Sequence, residues 1–352
     1  MNDRKLTHQQ QRRAQENQRQ RANKAQHQNR DLSSQDQSGQ LGSEQRGLVI
    51  SRYSREFDVE ALEGEQQGQI FRCLSRTNLG GIVSGDEVIW RAGEGLTGVI
   101  ESRLKRASIL ERPDNFGRLK PVAANIDQLL IVIAVQPAPQ ANLIDRYIVA
   151  AELMRMRPII LLNKVDLLDR ENKSSLDDLL SVYQELGYAV LRIVTSRNQT
   201  PQLDSISKLI ENRTSIVVGQ SGVGKSSLIN SLLPEAKLSI GKLSATSGEG
   251  THTTTQARLF HLPEGGRLID SPGIREFGLW HIDPEQVQFG FVEIANYLGQ
   301  CRFRNCKHDN EPGCAVRGVV ENKGISKQRF NSFRQIKASI EEQHAKGVGA
   351  SY

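Results

Sequence analysis

The rhythm of hydrophobic and polar positions changes three times along the chain. Up to Arg46 there is no rhythm: RKLTHQQQRRAQENQRQRANKAQ is polar, basic and nearly free of aromatic and β-branched residues. Such a segment cannot offset its ordering entropy by burial, so a disordered basic tail is expected over residues 1–46. Residues 47–115 hold short alternating runs, GLVISRY, FDVEAL, GQIFRCLSR, DEVIWRA and TGVIES, separated by turn-like pieces such as SGD and AGEG. Five short strands in so little chain predict a small Greek-key barrel of the OB-fold kind.

Over residues 116–280 buried runs alternate with helical spacing. Leu129 to Val135 is continuously apolar, Leu143, Tyr147, Ala151 and Met154 recur at helical intervals, and Pro158 to Leu162 is a second buried run. Ala189 to Thr195, Ser215 to Val218 and Arg267 to Asp270 are further strand candidates. This is the layout of an α/β domain with a mainly parallel sheet, whose ligand groups gather at the carboxyl ends of the strands. Residues 281–352 are expected to form a small, α-rich third domain.

Composition adds a partner class. With 352 residues each domain can bury its own core, and a monomer is expected. A net charge of +6 favours polyanions, nucleic acid first among them. Arg52, Arg55, Arg72, Arg76, Arg91 and Arg103 are scattered through the barrel strands, either as an RNA-facing set or as the wet face of half-buried strands. No run approaches the ~20 apolar residues that cross a bilayer, and the N-terminus lacks the apolar stretch of a signal peptide. No membrane partner and a cytoplasmic location are expected. Three of the four cysteines crowd between residues 301 and 314 beside a histidine, which does not resemble a disulfide framework.

The strongest chemical signal is Gly219-Gln220-Ser221-Gly222-Val223-Gly224-Lys225-Ser226, a full G-x-x-x-x-G-K-[ST] match between the strand SIVV and the helix SSLINSLL. Its backbone N–H groups can cradle the α- and β-phosphates, Lys225 can reach the β/γ oxygens, and Ser226 can ligate Mg²⁺. Ser227 follows in the same helix turn. Asn163-Lys164-Val165-Asp166 is the N-K-x-D element after the strand PIILL. A carboxylate at Asp166 accepts from guanine N1–H and the exocyclic amine together, whereas adenine presents a lone pair at N1. Thr195 and Ser196, ending another strand run, join the nucleotide-binding set. Asp270-Ser271-Pro272-Gly273 matches D-x-x-G, with Asp270 serving Mg²⁺ through water and Gly273 sensing the γ-phosphate. Between lies GEGTHTTT, a switch-like loop in which Thr254 is the chosen Mg²⁺ ligand and Thr253 and Thr255 are the alternatives.

The motif order is unusual, because N-K-x-D precedes the P-loop. A parallel sheet tolerates such a circular permutation: cutting one surface connection and joining the old ends leaves every ligand group in place. Downstream, Cys301, Cys306, His308 and Cys314 can complete a closed tetrahedral Zn²⁺ shell, which marks a structural site. Cys73, alone in a barrel strand, reads as a core residue. Arg302, Arg304 and Lys307 lie between the zinc ligands, and Arg317, Lys323, Lys327, Arg329, Arg334 and Lys337 follow. That cation density reads as an RNA-facing surface, with a solvated helix face as the alternative.

Taken together, NKVD before GQSGVGKS, then GTHTTT, DSPG and C-x₄-C-x-H-x₅-C resembles the bacterial small-ribosomal-subunit biogenesis GTPase family RsgA, also called YjeQ, from residue 47 onward. The resemblance implies an N-terminal OB-fold, a circularly permuted GTPase domain and a C-terminal zinc domain. It further implies GTP and Mg²⁺ as substrate and cofactor, one structural Zn²⁺, and the small ribosomal subunit and its rRNA as partners during late assembly. The position after Gly273 is Ile274, whose alkyl side chain cannot orient water, so free turnover is expected to be slow. His252 in the switch loop, which the resemblance also singles out, is the candidate catalytic residue, the alternative being a merely polar loop position. The expected function is subunit-stimulated GTP hydrolysis coupled to release. The alternative is a GTP-regulated RNA-binding scaffold whose hydrolysis is incidental.

Overall fold

The computed structural model describes residues 41–77, 79–113, 118–195, 200–233, 257–270, 279 and 282–345. His252, Thr254, Gly273 and Ser196 lie outside the described residues, as do Ile274 and the first forty positions of the expected tail. The chain divides into two compact units. The first runs to Lys105 without Val83–Gly85, and the second takes those three residues and everything from Arg106 onward.

Five strands build the first unit: β1 (Glu44–Tyr53), β2 (Glu56–Ala61), β3 (Ile70–Ser75), β4 (Glu87–Ala92) and β5 (Thr97–Arg103). They pair in the order β1-β2-β3-β5-β4, and β4 returns to β1, closing a barrel. The β3–β5 pairing is parallel and the others antiparallel. Alternation in the sequence fills the interior: Val49, Val59, Phe71, Cys73, Val88, Trp90 and Ile100 form one cluster, with Phe71 and Trp90 tilted against each other at 4.6 Å. Cys73 is fully buried there, and burial pushes its thiol up to about 12.

One expectation for this unit needs correction. β1 begins at Glu44, so the barrel absorbs residues assigned to the tail. Leu41 is buried, Gly42 N–H donates to Ala92 O at 2.8 Å, and Arg46 pairs with Glu87 at 2.6 Å. The polar composition of this stretch hid it, because only Leu41 turns an apolar group inward. Several barrel arginines are also engaged internally. Arg72 pairs with Asp58 at 2.9 Å and lies over Tyr53, Arg76 pairs with Glu101 at 2.9 Å, and Arg91 donates to Gly42 O at 2.8 Å.

The second unit opens with a hairpin, β6 (Ile109–Pro113) and β7 (Leu119–Ala124), that the sequence pattern did not reveal. The expected boundary at 115/116 falls between its two strands. Beyond it lie β8 (Gln128–Ala134), β9 (Arg157–Asn163), β10 (Ala189–Arg192), β11 (Thr214–Val218), β12 (Arg258–His261) and β13 (Arg267–Asp270). Their order is β10-β9-β8-β11-β13-β12, parallel except for β12. Every residue of β8 is buried, which explains its unbroken apolar run. The crossover helices are α1 (Ala141–Leu153), α2 (Arg170–Glu185) and α3 (Thr200–Ile210), and α4 (Lys225–Leu232) follows β11. A capping box of Asp169 and Asn172 starts α2.

The C-terminal part adds a 3₁₀ turn (Pro284–Gly290), α5 (Val292–Ala295), α6 (Ala315–Glu321) and α7 (Lys327–Ala345). It groups with the α/β sheet rather than apart from it. Helix α7 packs on α1, and at their contact Arg329 is fully buried. Its guanidinium meets Asp145 at 2.6 Å and Glu293 at 2.7 and 3.2 Å, and lies 4.4 Å from the Phe291 ring. Tyr183 donates to the same Asp145 oxygen at 2.8 Å. Arg329 is therefore no part of an RNA-facing surface, and neither is Lys337, nearly buried and paired with Glu285 at 3.0 Å. Among the described residues no helix is long and apolar enough to cross a membrane.

Candidate nucleotide site and metal centre

Four strand ends converge along the carboxyl edge of the sheet. Asn163 ends β9, Thr195 follows β10, Gly219 follows β11 and Asp270 ends β13. With β8 between β9 and β11, the N-K-x-D and P-loop strands stand two spacings, about 10 Å, apart. That span suits a ligand with a base at one end and phosphates at the other.

The P-loop has the backbone its glycines require. Gly219 and Gly224 take φ of 142° and 98°, and a Cβ at Gly219 would lie 2.1 Å from Val132 O. At Gly224 a Cβ would strike Asn163 Nδ2 at 2.2 Å. Only glycine lets the loop come this close to β8 and to the N-K-x-D asparagine. Lys225 Nζ donates to Gly219 O at 2.7 Å and Gln220 O at 2.6 Å, which holds the ammonium against the loop. Ser221, Ser226 and Ser227 are exposed, as a group that meets a ligand must be.

Asn163 binds the two halves of the site together. Fully buried, its Nδ2 donates to Val223 O at 2.8 Å and to Thr195 Oγ1 at 3.1 Å, while its Oδ1 accepts from Thr195 N at 3.2 Å. Lys164, left-handed at φ 58°, donates from Nζ to Gln136 O at 2.8 Å. Val165 N–H reaches Ile193 O at 3.4 Å, and Asp166 sits exposed on the 3₁₀ turn Val165–Leu167. Burial pushes the Asp270 carboxyl pKa up. Sequence reasoning assigned Asn163 to ligand binding and did not see its bracing role, since an amide three residues before Asp166 carries no sign of what it will face in space.

The four candidate zinc ligands do meet. Their ligand atoms all lie within 4.8 Å of one another. His308 Nδ1 is 3.3 Å from Cys314 Sγ and 3.6 Å from Cys301 Sγ, and those two sulfurs are 4.0 Å apart. A tetrahedral Zn²⁺ with ordinary bond lengths sets its ligands about 3.5 to 3.8 Å apart, so the cluster fits one ion and leaves no open position. The outer nitrogen, Nε2, faces Gln288 Oε1 at 3.3 Å and can donate to it, which orients the ring. Gln288 was invisible in the sequence, lying twenty residues upstream of its partner. Burial, then Lys337, lowers the His308 pKa and keeps the imidazole in its neutral, ligating form. Arg302, Arg304 and Lys307 remain exposed around this centre, with Arg302 over the exposed Phe303 ring.

Strand order and motif order together define the class, a circularly permuted P-loop GTPase: the strand that ends in NKVD comes before the P-loop strand in the chain yet lies in the same sheet. The family model described as RsgA GTPase matches residues 103–280, and the chain belongs to this family. A relative from Marinobacter nauticus, called small ribosomal subunit biogenesis GTPase RsgA, is 49% identical over 348 residues, 99% of each chain. One from Pseudomonas fluorescens with the same name is 55% identical over 304 residues, 86% of this chain and 88% of the relative. The first alignment runs into the N-terminal segment, so the likeness does not start at residue 47 as the motifs alone implied. Among solved structures, YjeQ from Thermotoga maritima matches with a TM-score of 0.69 and 29% identity, covering 85% of this chain and 99% of that one. YloQ, described as a circularly permuted GTPase, matches with a TM-score of 0.68 and 26% identity over 86% and 96%. The protein is thus a GTP hydrolase of this family, using GTP and Mg²⁺ and carrying a cluster that fits structural zinc.

Two outcomes follow from this geometry. Protein purified without chelators should carry one zinc per chain by elemental analysis, and stripping it should melt the region around Cys301 to Cys314, since such sites contribute ~10 to 16 kcal/mol. A stoichiometry well below one would refute the assignment. Asn163→Ala should leave the Val223 carbonyl and the Thr195 groups without their partner, costing ~1 to 3 kcal/mol of stability and weakening GDP binding in calorimetry. Unaltered melting and affinity would remove the bracing role.

Proposed function

We propose that this chain binds the small ribosomal subunit, assists its late maturation in the cytoplasm, and hydrolyses GTP faster when bound there, with hydrolysis coupled to release. The names of the relatives support the address, and the positive charge of the chain agrees with an rRNA partner. The observation that carries the nucleotide half is the Asn163 bridge between N-K-x-D and the P-loop, which makes one site of two distant sequence motifs.

In this reading Asp166 reads the guanine edge, supported by Asn163, Lys164 and Val165, with Thr195 and Ser196 beside the base. Residues 219–224 and Lys225 hold the phosphates through backbone N–H groups and one ammonium. Ser226, Thr254 and, through water, Asp270 are the candidates to hold Mg²⁺, which neutralises charge on the phosphate oxygens when bound. Gly273 senses the γ-phosphate, and His252 positions the attacking water in the place that Ile274 cannot fill. The barrel and the C-terminal part serve as the rRNA-facing parts, the latter through the exposed Arg302, Arg304 and Lys307. The chain acts as a monomer.

Asp166→Asn should cost ~1.5 to 3 kcal/mol of GTP affinity, because an amide retains one hydrogen bond and loses the charge-assisted pair. Competition binding against adenine nucleotides checks it, and unchanged discrimination would remove Asp166 from base reading. Purified small subunits should accelerate multiple-turnover GTP hydrolysis by ~10²-fold or more, about 2.7 kcal/mol of barrier lowering, and His252→Ala should lose most of that gain while keeping subunit binding. Absence of stimulation would favour the scaffold in which hydrolysis is incidental, and a fully stimulated His252→Ala enzyme would place the catalytic role elsewhere.

A further inference from the structure

The two phenylalanines exposed among the described residues, Phe289 and Phe303, both fall beside the Cys₃His cluster. Phe289 follows Gln288, whose side chain faces His308, and Phe303 stands between Cys301 and Cys306. A single exposed phenylalanine needs no explanation, but two at one centre, one of them between arginines, do. Phe303 is 42% exposed, and the Arg302 guanidinium lies over its ring at 5.7 Å from the centroid. The segment that carries it is pinned by its backbone. Arg302 N–H donates to Gly313 O at 3.0 Å, and Cys306 N–H donates to Phe303 O at 3.3 Å. Gly313 takes a φ of 73°, and a Cβ there would lie 3.0 Å from the Arg302 Cβ, so glycine allows this close approach.

Charge around the ring is one-sided. The only acids between Cys301 and Cys314 are Asp309 and Glu311. The Glu311 carboxylate accepts from Lys307 N–H at 2.8 Å and from Asp309 N–H at 2.9 Å, and the Asp309 carboxylate pairs with Arg334 at 3.4 Å. Among the described residues no carboxylate pairs with Arg302, Arg304 or Lys307, and all three are exposed. The barrel differs, because Arg72 and Arg76 each meet a carboxylate of a neighbouring strand.

We propose that Phe303 is a stacking platform for an unpaired base of single-stranded RNA, with Arg302, Arg304 and Lys307 meeting the phosphates around it. This rests on the reading of rRNA as the partner, and it names the state of the RNA that the surface takes. An aromatic ring flanked by cations rewards any base whose face is free, while the cations follow the backbone. A duplex keeps its bases stacked on one another and offers phosphates alone, so it would engage the cations and leave the ring unused. An acidic protein segment likewise satisfies the cations without needing the ring.

The full-length, zinc-loaded chain is tested with purified small subunits and with an oligouridine of about twelve nucleotides carrying one 4-thiouridine. Phe303→Leu keeps an apolar side chain and removes the ring, and Phe303→Tyr keeps the ring. Phe303→Leu should bind small subunits about tenfold more weakly with an unchanged salt slope, and Phe303→Tyr should bind as wild type does. Arg304→Ala should instead lower the slope of log affinity against log salt by roughly 0.7. All three should retain the wild-type zinc content. Photo-crosslinking should attach the 4-thiouridine to the peptide that contains Phe303, and annealing the complementary strand should suppress that product. Wild-type subunit affinity in Phe303→Leu, or no crosslink at that peptide, would overturn the platform. Weakened subunit binding without the crosslink would give the ring to a ribosomal protein, and equal crosslinking to single strand and duplex would refute the choice of an unpaired base. If Phe303→Leu loses zinc, the wild-type crosslink and its loss on annealing decide the proposal. A wild-type chain that does not bind small subunits would overturn the rRNA reading, and the oligouridine crosslink would still decide the platform.

Discussion

A buried amide holds this GTPase site together. Asn163 has no exposure, so each of its hydrogen-bonding atoms must be matched inside the protein, and the matches available are Val223 of the P-loop and Thr195 after β10. Three loops from three strands are thereby tied at one point. The close approach of Gly224 to the same amide shows how little slack there is: one extra carbon on the loop would collide with Asn163. The N-K-x-D and P-loop segments cannot shift independently, which would suit a site that measures a nucleotide from end to end.

That tie also explains why the order of motifs along the chain is free to change. The site depends on which strand ends lie side by side, and the order β10-β9-β8-β11-β13 keeps them so whichever end of the sheet the chain enters first. Permutation does change what comes after β13. In this chain the C-terminal elements return to pack on α1, and their attachment is polar at its centre. The Arg329 guanidinium, two carboxylates, Tyr183 and the Phe291 ring form a closed set in which each charge depends on the others. Such a contact adds little net stability compared with an apolar one, and removing one of its partners would leave a buried charge uncompensated.

The barrel follows a simpler logic. Its interior is apolar and its arginines are largely matched by carboxylates and carbonyls on neighbouring strands, with Arg72, Arg76 and Arg91 each engaged within the unit. Cations that count as polyanion-binding residues by composition are here partly the cross-strand pairs that hold a small sheet in register. Around the zinc cluster the balance is reversed, and Arg302, Arg304 and Lys307 are exposed.

Much of this was legible in the residues. Alternation located all five barrel strands to within a few positions, because a strand with one buried face has to alternate. The unbroken apolar run of β8 announced a strand covered on both sides, and the P-loop, N-K-x-D and Cys₃His sets are local patterns whose chemistry is fixed by residue type and spacing. The hairpin β6–β7 escaped because its alternation is interrupted by prolines and charges, and β12 because four residues carry too little period to register. Arg329 and Lys337 were misread for a different reason: a cation in a polar helix looks solvated until the carboxylates that meet it, at Asp145, Glu293 and Glu285, are brought there from elsewhere in the chain. The sequence by itself determined the elements, the nucleotide chemistry and the metal set, since these are written in neighbouring residues. Only the tertiary structure decided that Asn163 is a brace, that Gln288 orients His308, and that Arg329 is buried where α7 packs on α1, because a buried polar group takes its meaning from partners that folding, and not spacing, puts within reach.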